Sequence, residues 1–185
     1  MATDFNSTKV ITGKVRFCYV NVFEPTAMND TDEPKYNICI VIPKDDKATI
    51  EKIKKAIEAA KEIGKSKICD KNGKIPSSLK LPLRDGDEER GDDPAFENSY
   101  FINANSKRKP SIVDKNLDEI MDRSEFYSGC YGRASLSFYA YNVQSKGIAC
   151  GLNNLQKLAD GEPLAGGSSA EEDFGGENEF YDDLA

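Results

Sequence analysis

Histidine and tryptophan are both absent from the 185 residues. Without an imidazole there is no Ser-His-Asp triad, no Cys-His protease pair and no imidazole zinc site. The five cysteines, at 18, 39, 69, 130 and 150, contain no CxxC pair. Zinc ribbons and redox motifs use close pairs, so these read as reduced, mostly buried thiols of a reducing compartment. No segment approaches the roughly 18 apolar residues of a membrane span. The N-terminus, MATDFNSTKV, has no apolar signal-like run. The expectation is a cytoplasmic protein with no membrane contact.

Basic residues are missing from one region only. The formal net charge is -7, yet Gly166–Ala185 holds seven acids and no Lys or Arg. These are Glu171, Glu172, Asp173, Glu177, Glu179, Asp182 and Asp183, interleaved with Phe174, Phe180 and Tyr181. Residues 1–165 are therefore neutral, with 25 basic and 25 acidic residues. A second acidic cluster lies at 85–97, opposed only by Arg90. The division expected is a folded domain over 1–165 and a disordered acidic tail over 166–185. Such a tail imitates a nucleic-acid backbone, or docks a partner through its aromatics while its acids steer the approach.

Two motifs fail on inspection. Gly64-Lys65-Ser66 resembles the end of a P-loop, but position 59 is Ala and the helix precedes the motif. The run from Asp85 has Arg90 where a calcium loop needs Gly and Phe96 where it needs Glu. No catalytic residue, metal site or cofactor is expected, and the chain does not read as an enzyme.

The segments 10–23, 35–42, 99–105, 130–143 and 148–152 read as strands, from dense β-branched and aromatic residues between turn signals. A short strand near 67–69, a helical turn at 117–121 and a short helix at 153–159 are further expectations. Ile50, Ile53, Ala56, Ile57, Ala60 and Ile63 make one apolar stripe, so a helix spans about 46–63, capped by Asp46 and ended at Gly64. Several strands around one helix, without βαβ alternation, predict a mainly β fold: a β-barrel of OB-fold type with an inserted helix.

The strand 130–143 alternates two different faces. Cys130, Gly132, Ala134, Leu136, Phe138 and Ala140 suit a core. The other face carries Tyr131, Arg133, Ser135, Ser137, Tyr139 and Tyr141. Tyrosines stack on bases, and Arg pairs with phosphate. Lys14 and Arg16 share a face opposite Val15, Phe17 and Tyr19, and Lys107, Arg108 and Lys109 add a basic loop. The candidate interface for single-stranded DNA is thus Lys14, Arg16, Lys107, Arg108, Lys109, Tyr131, Arg133, Tyr139 and Tyr141. The competing reading is a second hydrophobic layer in which the helix covers the three tyrosines.

The run SGCYGRASLSFYAYN, then KGIACGLNNLQKLADGEPLAGG and SSAEEDF, resembles a family of phage-encoded single-stranded DNA-binding proteins of OB fold, formerly a domain of unknown function. LPLRDGDEER and YFINANSKRKPSIVD look like further pieces of that pattern. The resemblance covers roughly residues 8–175. It implies a non-catalytic protein of phage replication, recombination or repair, in the host bacterial cytoplasm, recruiting replication or recombination proteins through its tail. Unlike many proteins of similar function, this tail ends Asp-Asp-Leu-Ala, with its aromatics set back. An exposed barrel edge leaves room for a homodimer. The alternatives are a phage structural or assembly protein whose tail docks a basic partner, and a metal-assisted nuclease using the acids at 85–97.

Overall fold

In the computed structural model, which describes residues 5–27 and 33–164, five strands close on themselves into a barrel. The strands in chain order are β1 (Lys9–Ile11), β2 (Val15–Thr26), β3 (Lys35–Pro43), β4 (Arg84–Asp85), β5 (Ser99–Ser106), β6 (Ser111–Val113), β7 (Tyr131–Val143) and β8 (Ser145–Ala159). The helices are α1 (Lys47–Ile63), α2 (Lys65–Ile68) and α3 (Gly86–Glu89). Around the ring, β2 pairs with β3, β3 with β5, β5 with β8, β8 with β7, and β7 again with β2. The β5–β8 pairing is parallel and the other four are antiparallel. This is the OB ring. β1 extends it beyond β7, and β6 lies beside β8.

The alternation expected in β7 is present. Ala134, Leu136, Phe138 and Ala140 are buried, while Arg133 and Tyr139 are exposed. Helix α1 begins where Asp46 accepts the Thr49 amide at 3.2 Å. Its stripe of Ile50, Ile53, Ala56, Ile57 and Ala60 joins Phe17, Ile40 and Leu136 in one core. The helix ends at Gly64, where a Cβ would lie 2.3 Å from that of Ala140. Only a glycine allows α1 to finish this close to β7.

Several local expectations are corrected. The segment 10–23 is two strands, because Thr12 exchanges hydrogen bonds with Ala134 and the chain then bends at Gly13. The Gly13 amide donates to Thr49 Oγ1 at 2.9 Å. Beyond it, β2 runs past Pro25 to Thr26, through an irregular stretch of pairing where a missing N–H is tolerated. Residues 65–68 form a helical turn, not a strand. Residues 117–121 are not a helical turn: the chain turns at 115–116, and Glu119 bridges back to Val113.

Residues 153–159 continue β8 instead of forming a helix. Leu152 pairs with Leu136 and Asn154 with Ser135, so Asn153 is an extra residue on β8. The bulge places two inward leucines, Leu152 and Leu155, three positions apart, which imitates helical spacing. The acidic tail from 166 lies outside the described residues. Among those residues no helix is long and apolar enough to cross a membrane.

Candidate nucleic-acid interface

A second bulge sets the site. Cys18 pairs with Cys39 and Asn21 with Asn37, so β2 advances three residues while β3 advances two. Inside that bulge Tyr19 has φ +46° and a side chain 45% exposed. Simple alternation put Tyr19 on the core face with Val15 and Phe17; the extra residue turns it outward. A left-handed tyrosine costs roughly 1–3 kcal/mol, a strain that clusters at functional sites.

Tyr19 opens onto a groove of about 870 Å³ across the outer faces of β2, β3 and β5. The groove floor is amide-rich. Asn21, Asn37 and Asn105 face one another in register, and Asn103 sits beside Cys39. Asn21 Nδ2 donates to Asn37 Oδ1 at 3.0 Å, and Asn37 Nδ2 donates to Thr26 Oγ1 at 2.8 Å. Lys35, Arg90 and Lys107 line the groove as cations. Glu33 lines it too, 3.3 Å from Lys107.

The acidic loop forms one wall. Four of its carboxylates, those of Asp85, Asp87, Glu89 and Asp93, are engaged within the loop or by its neighbours. Lys44 Nζ lies 2.9 Å from Asp85 and 2.7 Å from Asp87. This ammonium holds both carboxyls below the usual aspartate range, helped by backbone amides, and its own pKa rises in return. Arg84 pairs with Glu89, Asp85 caps α3, and Asp93 caps the 3-10 turn Pro94–Phe96. Arg90 is left with no ion-pair partner among the described residues. Its guanidinium sits 5.7 Å from the rings of both Phe96 and Phe101, which meet edge to face at 5.2 Å. Cys18, Cys39 and Val41 complete this small outer core. Burial pushes the Cys18 thiol up to about 11 and the Cys39 thiol up to about 12, so both stay protonated at neutral pH.

The nine residues expected from the sequence fall into groups. Lys107 lines the groove. Tyr139 is 47% exposed and lies against Gly151, which leaves room for its ring. Burial raises its hydroxyl pKa, Cys150 and Tyr141 add to this, and Lys107 opposes it. Tyr141 lies over Gly147. The helix covers neither tyrosine's face of β7, since α1 packs against Ala140 on the opposite side. Arg108 is exposed, and Lys109 lies 5.7 Å from the Phe23 ring.

Lys14, Arg16 and Tyr131 form a separate cluster, with both cations 5.2–5.4 Å from the ring. Arg16 donates to Gly129 O at 3.1 Å and Glu162 O at 2.8 Å, and Arg133 donates to Thr12 O at 3.0 Å. Those guanidiniums tie the chain to itself. The groove residues that sequence reasoning did not single out are Tyr19, Lys35, Arg90, Asn37, Asn103 and Asn105, with Asn21 hydrogen-bonded to Asn37 beside them. One signal was available, since asparagine is depleted in strands, yet 21, 37, 103 and 105 all lie in predicted strands or at their edges.

An exposed tyrosine, a row of amides and bordering cations together offer stacking, base-edge hydrogen bonds and phosphate contacts. The family model described as the single-stranded DNA-binding protein of Enterobacter phage Enc34 matches residues 8–185. The chain belongs to this family. Protein p50 of Acyrthosiphon pisum secondary endosymbiont phage 1 is 30% identical over 183 residues, 96% of this chain and 94% of the relative. The single-stranded DNA-binding protein from bacteriophage Enc34, solved in complex with ssDNA, is 28% identical with a TM-score of 0.72. That match covers 86% of this chain and 90% of the other. The single-stranded DNA-binding protein encoded by bacteriophage T7 shares the fold, with a TM-score of 0.61 at 12% identity over 89% and 98% of the two chains. The family and its solved members are binding proteins, not enzymes.

Proposed function

We propose that this protein coats single-stranded DNA with little sequence preference during phage DNA replication, recombination or repair, in the host cytoplasm. The observation that carries the reading is an open groove with a stacking tyrosine, an amide floor and bordering cations, in a chain whose relative was solved with ssDNA bound. Tyr19 and Tyr139 are the stacking platforms. Lys35, Arg90 and Lys107 contact phosphates, with Arg108 and Lys109 on the adjoining loop. Lys14, Arg16, Tyr131 and Arg133 hold the barrel's flank and chain end.

The acidic tail competes with DNA and recruits replication or recombination proteins. Support comes from the position of Leu164. Leu164 donates its amide to Ser128 O at 2.7 Å and packs against the outer core beneath Arg90. Leu164 and Tyr19 line the same small cavity. Leu164 thus stands beside the groove, and the seven acids of 171–183 are tethered to it by fewer than twenty residues of chain, which sets a high effective concentration.

The test is a salt titration of binding to labelled single-stranded DNA, with duplex competitor, on the full chain and a chain ending at 165. Tight binding that ignores duplex, falls steeply with salt and tightens on truncation is the expected result. Absence of binding by both forms would overturn the proposal.

A further inference from the structure

We infer that the DNA track continues past the groove, over Tyr139 and Tyr141, onto a lysine patch built from α2, the segment after it and the β7–β8 hairpin. This rests on the single-stranded DNA reading. The patch consists of Lys65, Lys67, Lys71, Lys74, Lys80 and Lys146. All but Lys146 are exposed, and none makes an ion pair among the described residues. The only acid from 64 to 80 is Asp70, and its carboxylate accepts the backbone amides of Asn72 and Lys74.

The patch is one surface, knitted by backbone contacts. Lys146 Nζ donates to Cys69 O at 3.0 Å, at the end of α2. The Lys80 amide donates to Lys146 O, and Lys80 bridges Gly147. Gly147 carries the Tyr141 ring on its outer side: a Cβ there would lie 2.7 Å from the Tyr141 hydroxyl. Tyr141 is two residues from Tyr139 on the same face of β7, and Tyr139 lies against Gly151, whose strand partner Asn105 lines the groove with Lys107. Cation, tyrosine, tyrosine and cations follow one another without a break. Unpaired lysines that continue an aromatic path suit the phosphates of a strand leaving the groove, since each neutralised phosphate releases counterions.

The chain therefore has a short inner site and a longer full site. The experiment compares wild type with Lys65→Ala/Lys67→Ala/Lys80→Ala, using labelled thymidine oligomers of about six and about twenty nucleotides, one near the lower end of OB-fold site sizes and one beyond their upper end of about 16. These lysines are exposed, and thermal melting checks that the fold is unchanged. Wild type should bind the longer oligomer at least tenfold more tightly than length statistics alone give. The triple variant should lose that gain, keep its affinity for the six-mer, and lower the salt slope for the twenty-mer by about 2, three phosphates at about 0.7 each.

Equal affinity of variant and wild type for the twenty-mer would overturn the inference while leaving the groove reading intact. Equal weakening at both lengths would also overturn it. That pattern means the patch seats the acidic tail, which competes harder once released. Wild type that binds the six-mer but gains nothing from length would overturn it as well. If wild type binds neither oligomer, the inference falls together with the reading on which it rests.

Discussion

Two basic and aromatic clusters sit on this barrel, and they are built for different work. At one, Lys14 and Arg16 flank Tyr131, and Arg16 gives its N–H groups to Gly129 O and Glu162 O. At the other, Arg90 rests on Phe96 and Phe101 and has no carboxylate or carbonyl partner for its guanidinium among the described residues. Both clusters have the composition of an interface. They differ in what occupies the hydrogen-bond donors. A guanidinium already satisfied by its own backbone is a clasp, while one held only through its flat face keeps its donors for a ligand.

The widest gap between the two regions should appear at Tyr19. Tyr19→Ala is expected to weaken binding of single-stranded DNA by about 1–3 kcal/mol, the usual worth of one stacked base. Tyr19→Gly should bind as weakly yet melt higher, because φ +46° suits glycine and strains tyrosine. Titration against a labelled oligonucleotide, with thermal melting alongside, reads both. A glycine variant that binds normally would remove Tyr19 from the interface.

Arg16→Ala should show the opposite behaviour. Losing two charged hydrogen bonds at a partly exposed site should lower stability by roughly 1–2 kcal/mol in urea unfolding. DNA affinity at temperatures where the variant is folded should barely change. Arg90→Ala is the converse: unchanged unfolding, and a salt slope of binding shallower by about 0.7, one phosphate contact on a single strand.

The smallest effect concerns the wall that carries Arg90. Asp85 and Asp87 have carboxyl pKa values lowered chiefly by Lys44. Their contribution is present above the unfolded carboxylate value near 3.9 and is lost as pH falls through the lower folded values. Lys44 is shifted upward, so its contribution is lost only in strong alkali. Hydrogen exchange at residues 85–97, corrected for intrinsic rates, should therefore stay protected from neutral pH to about 4 and lose protection below it. Asp87→Asn should already be less protected at pH 6. Unchanged protection down to pH 2 would show that the clamp does not hold the loop.

The same physics decides how far sequence alone could go. Strand β7 was legible because its pairing with β8 keeps simple alternation over the stretch 136–143, and the two faces differ in chemistry. Helix α1 was legible from its cap and stripe. Strand β2 was not, because one unpaired residue at Tyr19 reverses every side chain after it, and nothing local in CYVNV announces a bulge. Strand β8 misled in the same way at Asn153. The charge of the 85–97 loop could be counted, but its neutralisation by Lys44, over forty residues earlier in the chain, belongs to the fold. The groove needed residues from β2, β3, β5 and the loop at once, so of the nine residues that the sequence suggested, Lys107 alone lines it.

The central claim is that single-stranded DNA lies on the outer face of β2, β3 and β5, with Tyr19 against a base. Photo-crosslinking tests it directly. An oligonucleotide containing iododeoxyuridine, bound to the full chain and irradiated, should give adducts whose peptides map to Tyr19 and Tyr139. Adducts confined to Tyr131, with Tyr19 unmodified, would place the DNA on the Lys14–Arg16–Tyr131 cluster and contradict the account.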